Sequence, residues 1–397
     1  MRILFLLSLL SLIACDSNRQ KLILNAGDTD RNQSIVHIHL PENTSPQPDP
    51  WELVDQKSGA AISIQKINDT EAVFILDQPL SAGMTREYVL LPAGTGGTTL
   101  HARESEGELA LAAGQKPLLT YNIAVDCPPE GLPEYYCRSG YIHPLHSPSG
   151  AVVTDGFPVG HTHQHGLFFA WVNTTFRGDF TDFWNQQKET GTGAHRELTA
   201  TTSGPVFTGF SSKLQQISLK HGPVLDEEWN INAYDLEKYY VLDVVSTQTN
   251  ITNDTLYINE YHYGGFGIRG SRLWNEVDSL HFKSDAQFLT SEGKTREEAN
   301  HSRPRWTAMY GETERGAAGV AILDHPDNFR HPQPVRVHPT MPYFCLAPMV
   351  EGAFFIAPDE TYVSKYRVVT FDGEPDAKAL DELWADYADP VKVSLVQ

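Results

Sequence analysis

Three histidines at alternate positions, His161, His163 and His165, run into Gly166 and a continuous apolar stretch, Leu167-Phe168-Phe169-Ala170-Trp171. If the segment is extended, strand alternation places the three imidazoles on one face. The apolar stretch reads as a buried strand that would hold the row in place. Imidazole exchanges protons near neutrality and ligates metals in its neutral form, so a row of them suits acid–base catalysis or metal binding. His143-Pro144 lies on the approach.

Further groups carry possible chemistry. A strand over 256–263 would set Glu260 and His262 on one face and Tyr257, Tyr261 and Tyr263 on the other. The glycine-dense Gly264-Gly265-Phe266-Gly267-Ile268-Arg269-Gly270 follows. Glycines so placed allow close backbone approach, and Arg269 is then a held cation for a carboxylate or developing oxyanion. Asp182 can orient an imidazole or coordinate a metal, and Trp184, read as exposed, offers a platform for a sugar ring. Arg336 and His338 share a strand face, whereas His325-Pro326 reads as a turn.

Strands must position these groups. Val36, Ile38 and Leu40 alternate with His37 and His39, which read as the solvent face of a strand, and short apolar runs at 72–76 and 88–91 are separated by Gly59, Gly83, Gly94 and Gly96-Gly97. Longer strands are expected over 239–249, 256–263, 317–323 and 362–371. One helix is expected, because Leu380, Leu383, Trp384 and Tyr387 recur at helical spacing after Asp376 and before Pro390. The fold class is therefore all-β: a small N-terminal β-sandwich over 15–120, then a larger β-domain over 121–397 that carries the site and ends in a helix. No GxGxxG, P-loop or GxSxG motif supports a nucleotide-dependent or serine-hydrolase function.

Residues 1–14 read as a signal peptide, with Arg2 before an apolar run too short to span a membrane. Leu12-Ile13-Ala14-Cys15 resembles a bacterial lipobox, which makes Cys15 the lipidated residue of an envelope lipoprotein, periplasmic or at the outer membrane, tethered by its acyl chains. Cys127 and Cys137 close a Pro-rich loop that reads as a disulfide in an oxidising compartment, leaving Cys345 as a buried thiol. Asn43, Asn173 and Asn250 begin chance glycosylation sequons. The formal net charge of −20 disfavours nucleic acid and anionic lipid as partners, leaves the anchor as the link to the membrane, and still allows a local basic pocket for an acidic substrate.

His143-Pro144, the 160–167 segment, Asp182-Phe183-Trp184, Gly264 to Arg269, His325-Pro326-Asp327-Asn328 and Tyr366-Arg367-Val368-Val369 together resemble the ordered motifs of the PmoA family of secreted bacterial proteins. The resemblance covers roughly 51–397. Many members read Asp-His-Pro-His-His-Arg-Gly where this chain has 160–166, so His161 and His163 match while Gln164 and His165 depart. It implies a fold similar to the galactose-mutarotase-like supersandwich, shared by sugar epimerases and polysaccharide lyases. A membrane-embedded methane oxygenase, which the family label suggests, would need spanning helices that this sequence lacks.

Three functions fit these residues. The first is an enzyme on a sugar or uronate-containing glycan, a lyase, hydrolase or epimerase. In it His161 or His163 exchanges protons with help from His143, Tyr263 or His262, and Arg269, Trp184, Asp182, Glu260, His165 and His338 bind substrate. The second is a zinc or copper enzyme with His161, His163 and His143 as ligands, completed by Asp182 or Glu260. The outer histidines of a straight row would lie roughly 13 Å apart, so all three do not hold one ion. The third is a glycan-binding lipoprotein without catalysis.

Overall fold

A computed structural model describes residues 20–40, 51–93 and 99–396. The leader, the lipobox with Cys15, Asn43, Gly94 and the Gly96-Gly97 pair lie outside the described residues.

The first unit is a seven-stranded antiparallel sheet with its own apolar core. The strand Ile35–His39 shows why: Val36 and Ile38 are buried while His37 and His39 face solvent, as the alternation predicts. Its last strand, Lys392–Val396, comes from the far end of the chain and pairs with Lys21–Asn25. Sheet membership changes between Thr85–Pro92 and Leu100–Ser105, ahead of residue 120, because the strands from Leu100 to Asn122 join the sheet that carries the site.

The second unit consists of two eight-stranded antiparallel sheets packed face to face, with a four-stranded sheet beside them. The front sheet contains Tyr141–Leu145, Leu167–Ala170, Gly265–Arg269 and Tyr343–Leu346 as neighbours. The back sheet is built from long strands such as Tyr239–Asn250, where alternate side chains are buried over much of the length, and Gly316–Asp324 and Thr361–Asp372, which are buried on both faces along most of theirs. Phe266 of the front sheet stacks on Tyr366 of the back sheet, centroids 4.5 Å apart, so the large apolar core lies between the two. The outer face of the back sheet is covered by Leu380 and Leu383 of the helix Ala377–Ala388 and by Ile35 and Val73 of the first sheet.

That helix forms where its spacing places it, and the Asp376 side chain caps it by accepting from the Ala379 amide at 3.1 Å. Asp386 on its buried face accepts from Arg31 at 2.8 Å and from Ser34 at 2.6 Å, which pins the first unit to the helix. Cys127 and Cys137 are joined and Cys345 is a free, buried thiol. No helix among the described residues is long and apolar enough to cross a membrane.

Candidate functional site

The histidine segment is a turn, not the strand that its alternation suggested. The Gln164 amide bonds the His161 carbonyl at 3.0 Å and the His161 amide bonds that of Pro158 at 3.3 Å, so these groups are spent within the turn and not on a ladder. Gly160 and Gly166 bracket it with φ of 84° and 55°. At Gly166 a Cβ would meet the Ile142 carbonyl oxygen at 2.1 Å, so only glycine fits. The pairing strand begins just after it, at Leu167–Ala170.

The turn sends the three imidazoles in different directions. His161 and His163 stay together, centroids 5.5 Å apart, and His338 joins them at 5.9 Å from His161. His165 turns into the core, fully buried, with Nδ1 facing the Gly156 carbonyl at 2.9 Å and Nε2 facing Gln186 Oε1 at 2.6 Å. Those two acceptors favour a charged ring, but burial together with nearby Arg138 holds its pKa down at about 3. His165 is thus a packed residue with no nitrogen left for substrate.

His163 is held down to about 3, mainly by burial and then by His161 and Arg269. His338 is lowered to about 4 by burial, Arg336 and His161, and His161 is lowered by burial and Arg269. All three rings are therefore neutral at pH 7. His338 Nδ1 accepts from the Met341 amide at 3.1 Å and the Thr340 amide at 3.3 Å, which leaves its proton on Nε2. His161 Nδ1 is buried without a partner.

Arg269 stands beside this cluster, fully buried. Its Nη1 donates to Gln164 Oε1 at 3.0 Å, while Nε and Nη2 have no partner. Burial lowers its pKa to about 10, so it remains a cation. Three backbone bonds fix its position: its amide to the Gly166 carbonyl at 2.7 Å, the Gly166 amide to that of Asp155 at 2.8 Å, and the Asp155 amide to that of Arg269 at 3.3 Å. Both Asp155 carboxylate oxygens are buried without hydrogen bonds, and its nearest ion-pair partner is Arg272 at 3.6 Å. Burial raises the Asp155 pKa, and Arg272 and Arg269 only partly oppose this.

Several expected members of the site lie elsewhere. Trp184 is fully buried, not an exposed platform; it packs on Phe168 at 4.4 Å and fills the slot over Gly267, where a Cβ would meet its ring at 2.6 Å. Asp182 is a buried loop anchor that accepts from the Trp184 and Asn185 amides, the Asn185 side chain and Lys188 at 2.8 to 3.0 Å. The expected strand over 256–263 stops as Leu256–Ile258, so Glu260 and His262 are exposed loop residues and not one face of a ladder. Tyr263 donates to Asn185 Oδ1 at 3.0 Å, and burial raises its pKa.

His143 also stands apart. Its Nδ1 contacts Thr154 Oγ1 at 3.0 Å and its ring lies against Gly156, with burial lowering the pKa to about 4. Among the described residues no three His, Cys, Asp or Glu side chains converge at metal-ligand spacing. His161, His163 and His143 therefore do not converge on the zinc or copper site expected of them. Sequence reasoning missed Asp155, Gln164 and Arg272. Asp155-Gly156 looks like any turn, and only its pairing with segments far along the chain exposes its role.

Fold and site together define an all-β protein of two facing sheets, bearing a cluster of neutral imidazoles beside a buried guanidinium. The chain belongs to the DUF6807 family, a family of unknown function, whose model matches residues 108–385. No curated protein matches it. Among solved structures, a protein in the glycosyl hydrolase family 38 from Enterococcus faecalis superposes with a TM-score of 0.42 at 9% identity, covering 96% of this chain and 47% of that one. This chain spans about half the length of that protein, and a likeness so loose says nothing of function.

Proposed function

We propose that this protein is a cell-envelope lipoprotein enzyme that moves a proton on a carboxylate-bearing sugar, a uronate within a glycan. One observation carries the reading: the Nε and Nη2 edge of Arg269, the edge a carboxylate takes side-on with two hydrogen bonds, is buried and unpaired beside neutral imidazoles. The motif series that resembles the PmoA family supports the substrate class, and the lipobox supports the location.

Burial is the larger cause of the lowered His161 pKa and Arg269 the next; a carboxylate held on Arg269 offsets that second part, which makes the imidazole a better base. His161, with Nδ1 free, takes the proton from the carbon bearing the carboxylate, and Arg269 stabilises the negative charge that develops there. The electron pair of the broken C–H bond forms a carbon–carbon double bond as the neighbouring C–O glycosidic bond breaks. The same imidazole returns the proton to the departing oxygen, which regenerates the neutral ring. His338, with its proton on Nε2, donates a hydrogen bond to the substrate without itself ionising.

The test is release of unsaturated uronate, followed by ultraviolet absorbance, from polygalacturonate and alginate. Activity is expected in the mature protein, with His161→Ala slower by about 10²-fold or more. No product from either polymer, or full activity in His161→Ala, overturns the proposal.

A further inference from the structure

The four-stranded sheet has one face in the main core and the other in solvent. Leu256, Ile258, Phe176 and Ile356 point inward and are buried. On the outer face, register aligns one residue from each strand into a single row. Phe180 lies opposite Thr175, Thr175 opposite Tyr257, and Tyr257 opposite Phe355.

The three aromatics of that row are 44%, 51% and 56% exposed. Six aromatic side chains among the described residues are at least 37% exposed, and the three most exposed of them form this row. With strands about 4.8 Å apart, the row runs about 14 Å across the sheet. Scattered exposed apolar residues need no explanation, but three aromatic side chains in one register row do, even with Lys188 over the Phe180 ring and the Tyr257 and Phe355 rings tilted by 58°.

We infer that this row is a polysaccharide-binding platform on which successive pyranose rings stack. The electron-rich face of an aromatic ring attracts the polarised C–H groups on the flat side of a sugar. Bases of single-stranded nucleic acid also stack on such rows, but they need a cationic groove along the phosphates, whereas the cation at this row, Lys188, is already paired with Asp182.

The row also leads to the imidazole cluster. Lys188 sits over the Phe180 ring at 4.9 Å and pairs with Asp182 at 2.9 Å; Asp182 holds Asn185, which accepts from Tyr263. Tyr263 packs on Trp184, Trp184 on Tyr343, and Tyr343 on His338. These contacts pass through buried side chains, so they tie the platform to the cluster through the core and are not a path for a glycan; the binding does not rest on the function proposed above.

Affinity electrophoresis of the mature protein through gels containing polygalacturonate, alginate, xylan or laminarin tests the inference. At least one polymer is expected to retard the native protein. A Phe180→Ala/Tyr257→Ala/Phe355→Ala variant should bind at least tenfold more weakly while its circular dichroism spectrum stays native, because about half of each side chain is already in solvent. Tyr257→Phe, which keeps the ring, should bind as the native protein does. His161→Ala should still be retarded while losing turnover, so failure of the catalytic reading leaves this one standing. Absence of retardation by all four polymers overturns the inference, as does full binding by the triple variant. So does a triple variant that merely converts a dimer to a monomer in sedimentation, which would mark the row as a self-association face.

Discussion

Replacing Arg269 by methionine distinguishes a cation kept for a ligand from one kept for the fold. Burial lowers the Arg269 pKa from 12.5 to about 10, so holding it charged opposes folding by about 3 kcal/mol. Against this stands one charge-assisted hydrogen bond, to Gln164 Oε1 at 3.0 Å, worth about 2 kcal/mol. Asp155 adds only a longer-range attraction, since it makes no ion pair with Arg269 and its own pKa is raised. Methionine removes the desolvation and the hydrogen bond together, and Asp155 can take up a proton in response. Unfolding free energy should therefore change by less than about 2 kcal/mol, whereas breaking one side of a structural buried pair loses about 3–5 kcal/mol. Urea unfolding at neutral pH, read by tryptophan fluorescence, measures the difference, and uronate turnover should disappear in the same variant. A loss of 3 kcal/mol or more that is restored by adding Asp155→Asn would refute the reasoning and make Arg269 a structural partner of Asp155.

The buried imidazoles make stability fall towards acid. His163 titrates near 6.5 when unfolded but at about 3 when folded, so its contribution is complete above pH 6.5. As pH drops below 6.5 the unfolded chain gains a proton that the folded chain refuses, and stability declines by about 1.4 kcal/mol per pH unit until about pH 3. His163→Gln should flatten the stability–pH slope between about pH 4 and pH 6 by that amount, measured by urea unfolding at several pH values. Equal slopes in variant and native protein would show that the ring is not held neutral. Gly166→Ala combines a φ of 55° with a Cβ placed 2.1 Å from a backbone oxygen. Its stability should fall by about 2–3 kcal/mol or more, and His161 should shift relative to Arg269. Native-like stability with full turnover would mean that the turn re-forms elsewhere.

The elements that the sequence revealed are those whose signal is local. The terminal helix shows its apolar spacing, its capping aspartate and a following proline within a few residues, and Ala377–Ala388 forms there. Tyr239–Asn250 reads as a strand because its alternation runs long enough to average out exceptions, and Thr361–Asp372 because its β-branched and aromatic run is long. The histidine segment satisfies the same period-two template over only five residues, too few to outweigh a glycine of positive φ at each end. Trp184 could not be told from an exposed platform, because the slot that buries it is made by Gly267, on a strand far away in sequence.

Asp155 and Gly166 belong to loops about a hundred residues before Arg269, yet three backbone bonds lace all three together at the end of its strand in the front sheet. Nothing in their local composition announces the pairing. The chemistry of the site is thus set by register between remote strands, and a one-residue slip there would turn Arg269 to the opposite face. The glycines of the 264–267 stretch act on that register. Gly265, with φ of 90°, lets its strand approach the Leu346 carbonyl, where a Cβ would sit at 2.4 Å. Gly267 seats Trp184 from the same strand. The glycine density beside Arg269 reads in the sequence as close backbone approach and a held cation. Its structural work is to fix the strand so tightly that the guanidinium stays buried with one edge unpaired, which is what a preorganised carboxylate site requires.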